Sequence, residues 1–201
     1  DVLGAYDGAK AVVLFSQAGM IGAAMRDAYY DDVTAHAAAG RAAIYPAATN
    51  GTIARVDPAT GAAAWRVDAG KRLSAGAGAD STLVVVGTDK GDVLAFTVDG
   101  KPLWQVKVTS EVVSPPKVAE GVVVVWSGDG RLFGLSAVDG KTRWVYQRSN
   151  PPLTVRNFAG GVITRGALFV GTAGGKLLAL DLATGNIGWE GNVATPKGAT
   201  E

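Results

Sequence analysis

Three aspartates in the middle of this sequence could, by residue type, ligate a calcium ion. Each lies within two residues of a glycine: Asp89, Asp92 and Asp129. Carboxylate oxygens are ligands that Ca²⁺ prefers, but aspartate beside a turn glycine is also what the backbone of a tight turn favours. Turn formation is the simpler interpretation, and no metal site is predicted.

Other residue types that carry catalysis are scarce. The chain has one histidine, His36, and no cysteine, so it offers no plausible catalytic triad and no thiolate metal site. Its glycine-rich turns lack the G-x-x-x-x-G-K-[ST] pattern of a phosphate-binding loop. The 19 basic and 18 acidic residues give no basic excess of the kind typical of nucleic-acid-binding domains. We therefore predict no enzyme, no cofactor and no nucleic-acid partner.

The composition points to a folded protein with many turns. The chain of 201 residues is 48% hydrophobic and 18% charged, which excludes intrinsic disorder. Glycine accounts for 28 residues, about twice its average usage, without the period of collagen. Glycine must therefore mark tight turns between short apolar segments.

A repeat explains where the glycines stand. Four tryptophans recur at spacings of 39, 40 and 45 residues, and a glycine lies four residues before each of them. A second glycine lies nine or ten residues earlier and follows a short apolar run. The repeated residues are Trp65, Trp104, Trp144 and Trp189; Gly61, Gly100, Gly140 and Gly185; and Gly51, Gly91, Gly130 and Gly175.

This pattern predicts an all-β propeller. Apolar, β-branched runs favour strands, and the glycines suit two-residue hairpin turns with positive φ. With a further apolar group before each unit, four short antiparallel strands recur about every 40 residues, as in a propeller blade. We expect about four blades, over residues 41–76, 77–116, 117–156 and 157–201. Each tryptophan is expected on an outer strand, packed against the neighbouring blade.

Residues 1–40 do not match the repeat and stay unassigned. The overlapping stretch 15–43 is rich in alanine and favours a helix by propensity. A divergent blade, a foreign segment and a shifted sequence register remain open explanations for this part of the chain.

Two sets of motifs carry a family resemblance. The segment "ALDLATGNIGW", Ala179 to Trp189, matches the A-x-D-x-x-T-G-x-x-x-W pattern of the PQQ-like propeller repeat. The motifs "GDGRLFGL", "RWVYQR" and "PPLTVR" follow one another within residues 109–198. In that order they resemble the BamB family, propeller lipoproteins of the outer-membrane β-barrel assembly (BAM) machinery. The resemblance covers about residues 41–201 and implies half of an eight-bladed ring.

The resemblance implies a scaffold that docks on a partner and performs no chemistry. Family members bind the barrel subunit BamA through a Leu-x-Leu-Arg loop, which here corresponds to Leu153, Val155 and Arg156, with Val155 replacing the second leucine. Two apolar side chains beside an arginine suit a binding hot spot. A second BamA-contact loop is expected beyond Glu201.

The resemblance also implies further partners and a location. Other BAM components and nascent outer-membrane β-barrel proteins are expected partners, the latter through exposed strand edges. The expected location is the periplasm, at the inner face of the outer membrane, with a lipid anchor outside this chain. Two alternatives share the repeat: a fragment of a PQQ-dependent dehydrogenase, and a generic periplasmic interaction propeller.

Overall fold

The computed structural model describes residues 10–16, 42–48, 50–57, 60–147, 161–172 and 175–193, the first two ranges by their backbone only. All regular elements within these ranges are β-strands, arranged in four four-stranded sheets. This confirms the predicted all-β propeller architecture. No helix in the described ranges is long and apolar enough to cross a membrane.

The four sheets follow one another along the chain. The first contains β1 (Lys10–Ser16), β2 (Ala42–Ala48), β3 (Thr52–Val56) and β4 (Ala63–Asp68). The second contains β5 (Gly78–Ala79), β6 (Leu83–Gly87), β7 (Asp92–Thr97) and β8 (Pro102–Lys107). The third contains β9 (Lys117–Ala119), β10 (Val122–Trp126), β11 (Arg131–Ser136) and β12 (Thr142–Gln147). The fourth contains β13 (Val162–Thr164), β14 (Ala167–Gly171), β15 (Lys176–Asp181) and β16 (Ile187–Asn192).

Strand order within each sheet follows the sequence. In the second, third and fourth sheets every neighbouring pair is antiparallel. Each of the four sheets has a register shift between its last two strands, close to the residue paired with the repeated tryptophan. Such bulges bend a strand and increase its local twist, so the four outer strands share one local shape.

The hairpin loops are longer than the sequence pattern predicts. The amide of Gly91 donates to the carbonyl of Thr88 (3.1 Å), and the amide of Thr88 donates to the carbonyl of Asp92 (2.9 Å). Three residues therefore form this loop, and the prediction of two-residue turns is wrong. The same two bonds close the loops at Gly130 and Gly175. A type I turn followed by one left-handed residue needs a single positive φ, which is 79° at Gly91.

The core lies between the sheets. In β6, Val84 and Val86 pack towards the first sheet, whereas Leu83 and Val85 pack towards the third. All four side chains are at most 3% exposed. Because both faces of the sheet are covered, the strand is a continuous apolar run and does not alternate between apolar and polar residues.

The first sheet differs from the other three at its inner edge. Strand β1 pairs with β2 in parallel, with Lys10 opposite Ala42, whereas the other inner pairs are antiparallel. The prediction of a helix over residues 15–43 is wrong at both ends of that stretch, because residues 15–16 lie in β1 and residues 42–43 lie in β2. Pairing in a sheet satisfies the backbone of both segments, and such tertiary context overrides propensity. Residues 17–41, including His36, lie outside the described residues.

Candidate functional site

Three of the repeated tryptophans join each sheet to the next. The indole N–H of Trp65 on β4 donates to the carbonyl of Val98 in the second sheet at 2.8 Å. Trp104 on β8 makes the same bond to Ala137 at 2.9 Å, and Trp144 on β12 bonds to Leu182 at 2.8 Å. Each acceptor lies in the loop between the last two strands of the following sheet. One hydrogen bond therefore recurs at all three described junctions.

The same rings cover the glycines of those loops. A β-carbon built on Gly100 would lie 2.8 Å from the Trp65 ring, and one on Gly140 would lie 2.7 Å from the Trp104 ring. On Gly185 it would lie 2.6 Å from the Trp144 ring. These three glycines have φ between 72° and 82°, so both their backbone conformation and the overlying ring require glycine. We call each such loop with its glycine a glycine corner.

The remaining repeated tryptophan, Trp189, and the remaining corner glycine, Gly61, have different surroundings. Trp189 on β16 is 48% exposed, and its ring centroid lies 5.9 Å from that of Phe169. Trp144, by contrast, is 7% exposed. At the opposite end of the series, no atom of the described residues lies within 4 Å of a β-carbon built on Gly61.

A polar bridge also joins the first and second sheets. The Lys71 ammonium, just beyond β4, lies 3.0 Å from a carboxylate oxygen of Asp92 on β7, and Gln105 donates to the other oxygen at 3.2 Å. The Asp92 backbone amide donates to the hydroxyl of Thr88 at 2.8 Å. Burial acts to raise the pKa of Asp92, but the hydrogen bond and charge of Lys71, together with the charge of Lys107 and the hydrogen bond from Gln105, outweigh it and hold this pKa below its ordinary value.

A similar bridge joins the second and third sheets through Asp129. The Thr109 hydroxyl, beyond β8, donates to Asp129 at 2.6 Å, and the Ser127 hydroxyl also donates to it. The Arg131 guanidinium lies 3.2 Å away. Burial acts to raise the pKa of Asp129, yet these donors together lower it. Sequence reasoning missed both bridges, although a hydroxyl three residues before the turn glycine, as in Thr88 and Ser127, is a usable signal.

The inner strands line a cleft of about 460 Å³. Its walls come from β5, β9 and β13 with their flanking residues, and Lys117 is the charged side chain among the described lining residues. In the described ranges, no three histidine, aspartate or glutamate side chains are grouped closely enough to hold a metal ion. Asp92 and Asp129, which the sequence offered as calcium ligands, bond instead to the cations and hydroxyls described above.

The predicted partner loop lies between the third and fourth sheets. Leu153, Val155 and Arg156 fall outside the described residues, so only the strands on either side can be placed. The end of β12 is tied to β11 by Arg131, whose Nε donates to the Gln147 side chain at 3.1 Å. The predicted loop therefore connects two neighbouring sheets, β12 of the third and β13 of the fourth.

The sequence matches a known family over most of its length. A family model described as outer membrane protein assembly factor BamB matches residues 49–201. The outer membrane protein assembly factor BamB of Nitrosomonas eutropha is 54% identical over 159 residues, which covers 79% of this chain and 39% of that protein. The match therefore includes the repeats but less than half of the relative.

Solved structures give the same result. The crystal structure of BamB from Moraxella catarrhalis superposes with a TM-score of 0.71 and 27% identity, covering 78% of this chain and 48% of that chain. A quinohemoprotein alcohol dehydrogenase from Comamonas testosteroni has a TM-score of 0.59 and 16% identity, over 74% of this chain and 33% of that chain. The second likeness is one of fold alone.

Proposed function

The chain belongs to the BamB family of outer membrane protein assembly factors, and from that premise we propose that it is a scaffold for inserting β-barrel proteins into the outer membrane. The observation that carries this proposal is the 54% identity to an assembly factor over 159 residues, together with a match of the family model to residues 49–201. The chain spans less than half of that relative's length. The proposal therefore concerns the part of the assembly factor that these blades form. We place it in the periplasm, at the inner face of the outer membrane.

The proposed contact with BamA is the loop that carries Leu153, Val155 and Arg156. Its composition supports the assignment, because arginine can anchor a polar contact while leucine and valine fill a groove. The adjacent Pro151 and Pro152 restrict the backbone, and a restricted backbone lowers the entropy lost on binding. The attachment of the loop to two packed sheets supports the same role.

Co-purification with the periplasmic domains of BamA tests this assignment. The chain should be retained by immobilised BamA, and Arg156→Glu should lose most of that retention. Arg143→Glu is the matched control, because Arg143 is exposed on β12 and the charge change is identical. Equal retention of the wild type and both variants would refute the role of the loop. Absence of any retention would refute the proposed BamA contact itself.

We propose further that the role is non-catalytic. A PQQ-dependent dehydrogenase needs carboxylates to hold its calcium ion, and those of Asp92 and Asp129 already accept hydrogen bonds within the scaffold. The described walls of the inner cleft contribute a lysine and no carboxylate. Addition of PQQ and Ca²⁺ should therefore give neither bound-quinone absorbance nor dye reduction with alcohol substrates. Reduction of the dye would favour the dehydrogenase alternative.

A further inference from the structure

Both connections between sheets that the structure describes in full carry a buried apolar residue at the same position. Leu73, between the first and second sheets, is 1% exposed, and Val112, between the second and third, is fully buried. Each lies five residues before the next inner strand begins. Each also forms an isolated β-bridge, Leu73 with Thr88 and Val112 with Ser127. We call this position the plug, because its side chain packs into the apolar cluster between the two sheets.

The plug at Val112 requires a glycine on the strand beneath it. Gly87 is the last residue of β6 and continues the face of Leu83 and Val85, which pack towards the third sheet. A β-carbon built on Gly87 would lie 2.3 Å from the Val112 side chain. Because protein interiors are closely packed, a larger side chain at the end of the strand and an apolar plug cannot occupy this space together. The space is therefore filled either from the connection or from the strand.

The third sheet fills this space from the strand. Trp126 ends β10 where glycines, Gly87 and Gly171, end β6 and β14. It continues the face of Val122 and Val124 and packs against the apolar cluster between the third and fourth sheets. Its indole nitrogen is buried, and the cavity beside the ring measures about 10 Å³, close to the smallest volume that holds one water molecule. The indole therefore occupies the space that the plug takes at the preceding junction.

The connection that follows the third sheet differs from the other two in sequence. It has fourteen residues, 148–161, between β12 and β13, whereas the two described connections, 69–77 and 108–116, have nine each. At its plug position, five residues before β13, the sequence has Asn157 in place of the leucine and valine found in the others. Burying an amide in an apolar cluster is unfavourable, so asparagine does not suit a plug. A tryptophan on the strand thus coincides with the loss of the apolar plug from the connection.

We propose that Trp126 is a positioning residue for the contact with BamA, because it fills a junction that the connection would otherwise have to fill. The inference rests on the proposed function of the loop with Leu153 and Val155, which belongs to this connection. With the junction occupied by Trp126, both apolar side chains stay available to a partner, as a binding hot spot requires. Without the indole, an apolar residue of the connection enters the junction and is lost to the interface.

The affinity of the full chain for the periplasmic domains of BamA tests the proposal. Trp126→Gly reproduces the glycine that ends β6 and β14, and it should raise the dissociation constant about tenfold or more. Trp126→Phe keeps a ring in the junction and should restore most of the affinity. Trp126→Leu should give an intermediate rise, which keeps the test valid if the glycine variant does not fold. Val112→Ala is the matched control, because it truncates the plug of the neighbouring junction and lowers stability without altering the BamA connection.

Urea unfolding of paired variants shows whether the connection enters the emptied junction. Replacing Leu153 and Val155 with alanine should leave the urea midpoint of the wild type nearly unchanged, because Trp126 keeps both side chains out of the junction. The same replacement should lower the midpoint of Trp126→Gly clearly, because one of the two then fills the gap. A purely structural role of Trp126 predicts additive losses, and additivity would overturn the proposal.

The outcomes separate this inference from the proposed function. Equal affinity of the wild type and Trp126→Gly for BamA would refute the positioning role and leave the BamA contact standing. An equal loss of affinity for Trp126→Gly and Val112→Ala would assign the effect to general destabilisation, which also contradicts the positioning role. Absence of BamA binding by the wild type would refute the contact itself, while the unfolding measurements would still show whether Trp126 keeps the connection out of the junction. Circular dichroism spectra verify that each variant is folded.

Discussion

Replacing Gly140 with alanine should weaken the junction between the second and third sheets. The added methyl group would lie 2.7 Å from the Trp104 ring and 2.8 Å from Val106. Both are far inside van der Waals contact, so the indole must move or the corner must open. Movement of the indole also strains its 2.9 Å hydrogen bond to the carbonyl of Ala137.

The expected magnitude has two parts. The φ of 72° at Gly140 costs an alanine about 1 kcal/mol in the left-handed region. Overpacking against the ring adds about 1–3 kcal/mol. Gly121→Ala separates the two parts, because Gly121 has φ 75° and no atom of the described residues within 4 Å of an added β-carbon. We expect a loss of about 1 kcal/mol for Gly121→Ala and about 2–4 kcal/mol for Gly140→Ala.

Urea unfolding followed by tryptophan fluorescence measures both losses, with the slope of each transition checked for a change in cooperativity. Circular dichroism provides an independent second probe of the same transition. If the two variants lose equal stability, the Trp104 ring does not constrain Gly140, and the proposed docking at this corner is refuted.

Two further predictions concern the hydrogen bonds at the junctions. Trp144→Phe removes the 2.8 Å bond to the Leu182 carbonyl and should lower the free energy of unfolding by about 1–2 kcal/mol, whereas Trp189→Phe should change it by less than about 0.5 kcal/mol; equal losses in urea unfolding would contradict this. Stability should also fall in acid, because hydrogen bonds from Lys141 and Ser136 hold the pKa of Asp139 at about 2. A depressed folded pKa contributes stability above the unfolded value of about 3.9, which is lost as pH falls through the folded pKa. Urea midpoints should thus be level above about pH 5 and decline towards pH 2. Asp139→Asn should reduce that decline only slightly, because water screens this exposed ion pair.

The sequence predicted the architecture because the repeat is a strong, local signal. Tryptophan, glycine and the apolar runs recur at nearly constant spacing, and each element needs only its own residues to be recognised. The continuous apolar run of β6 was assigned to a strand for the same reason. Its burial on both faces follows from the stacking of sheets, which a repeat implies.

Contacts between distant residues were harder to predict. The pairing of Lys71 with Asp92 joins side chains of two different sheets, and no local pattern specifies such a partner. Loop length was misjudged at Gly91, because a glycine in a hairpin suits both two-residue turns and three-residue loops with a bulge. The parallel pairing of β1 with β2 breaks the repeat and had no sequence signal at all.

The three junctions between successive sheets are separate, so stability and BamA binding can be perturbed independently. The apolar clusters between successive sheets share no buried residue, and in repeat architectures each unit depends mainly on its neighbours. A variant at Gly140 therefore loosens the second and third sheets from each other while the third and fourth keep their Trp144 contact. The proposed BamA loop connects the third and fourth sheets, so Gly140→Ala should lower stability yet retain BamA binding under folding conditions. Arg156→Glu should do the reverse, and this opposition separates a defect in the scaffold from a defect in the contact.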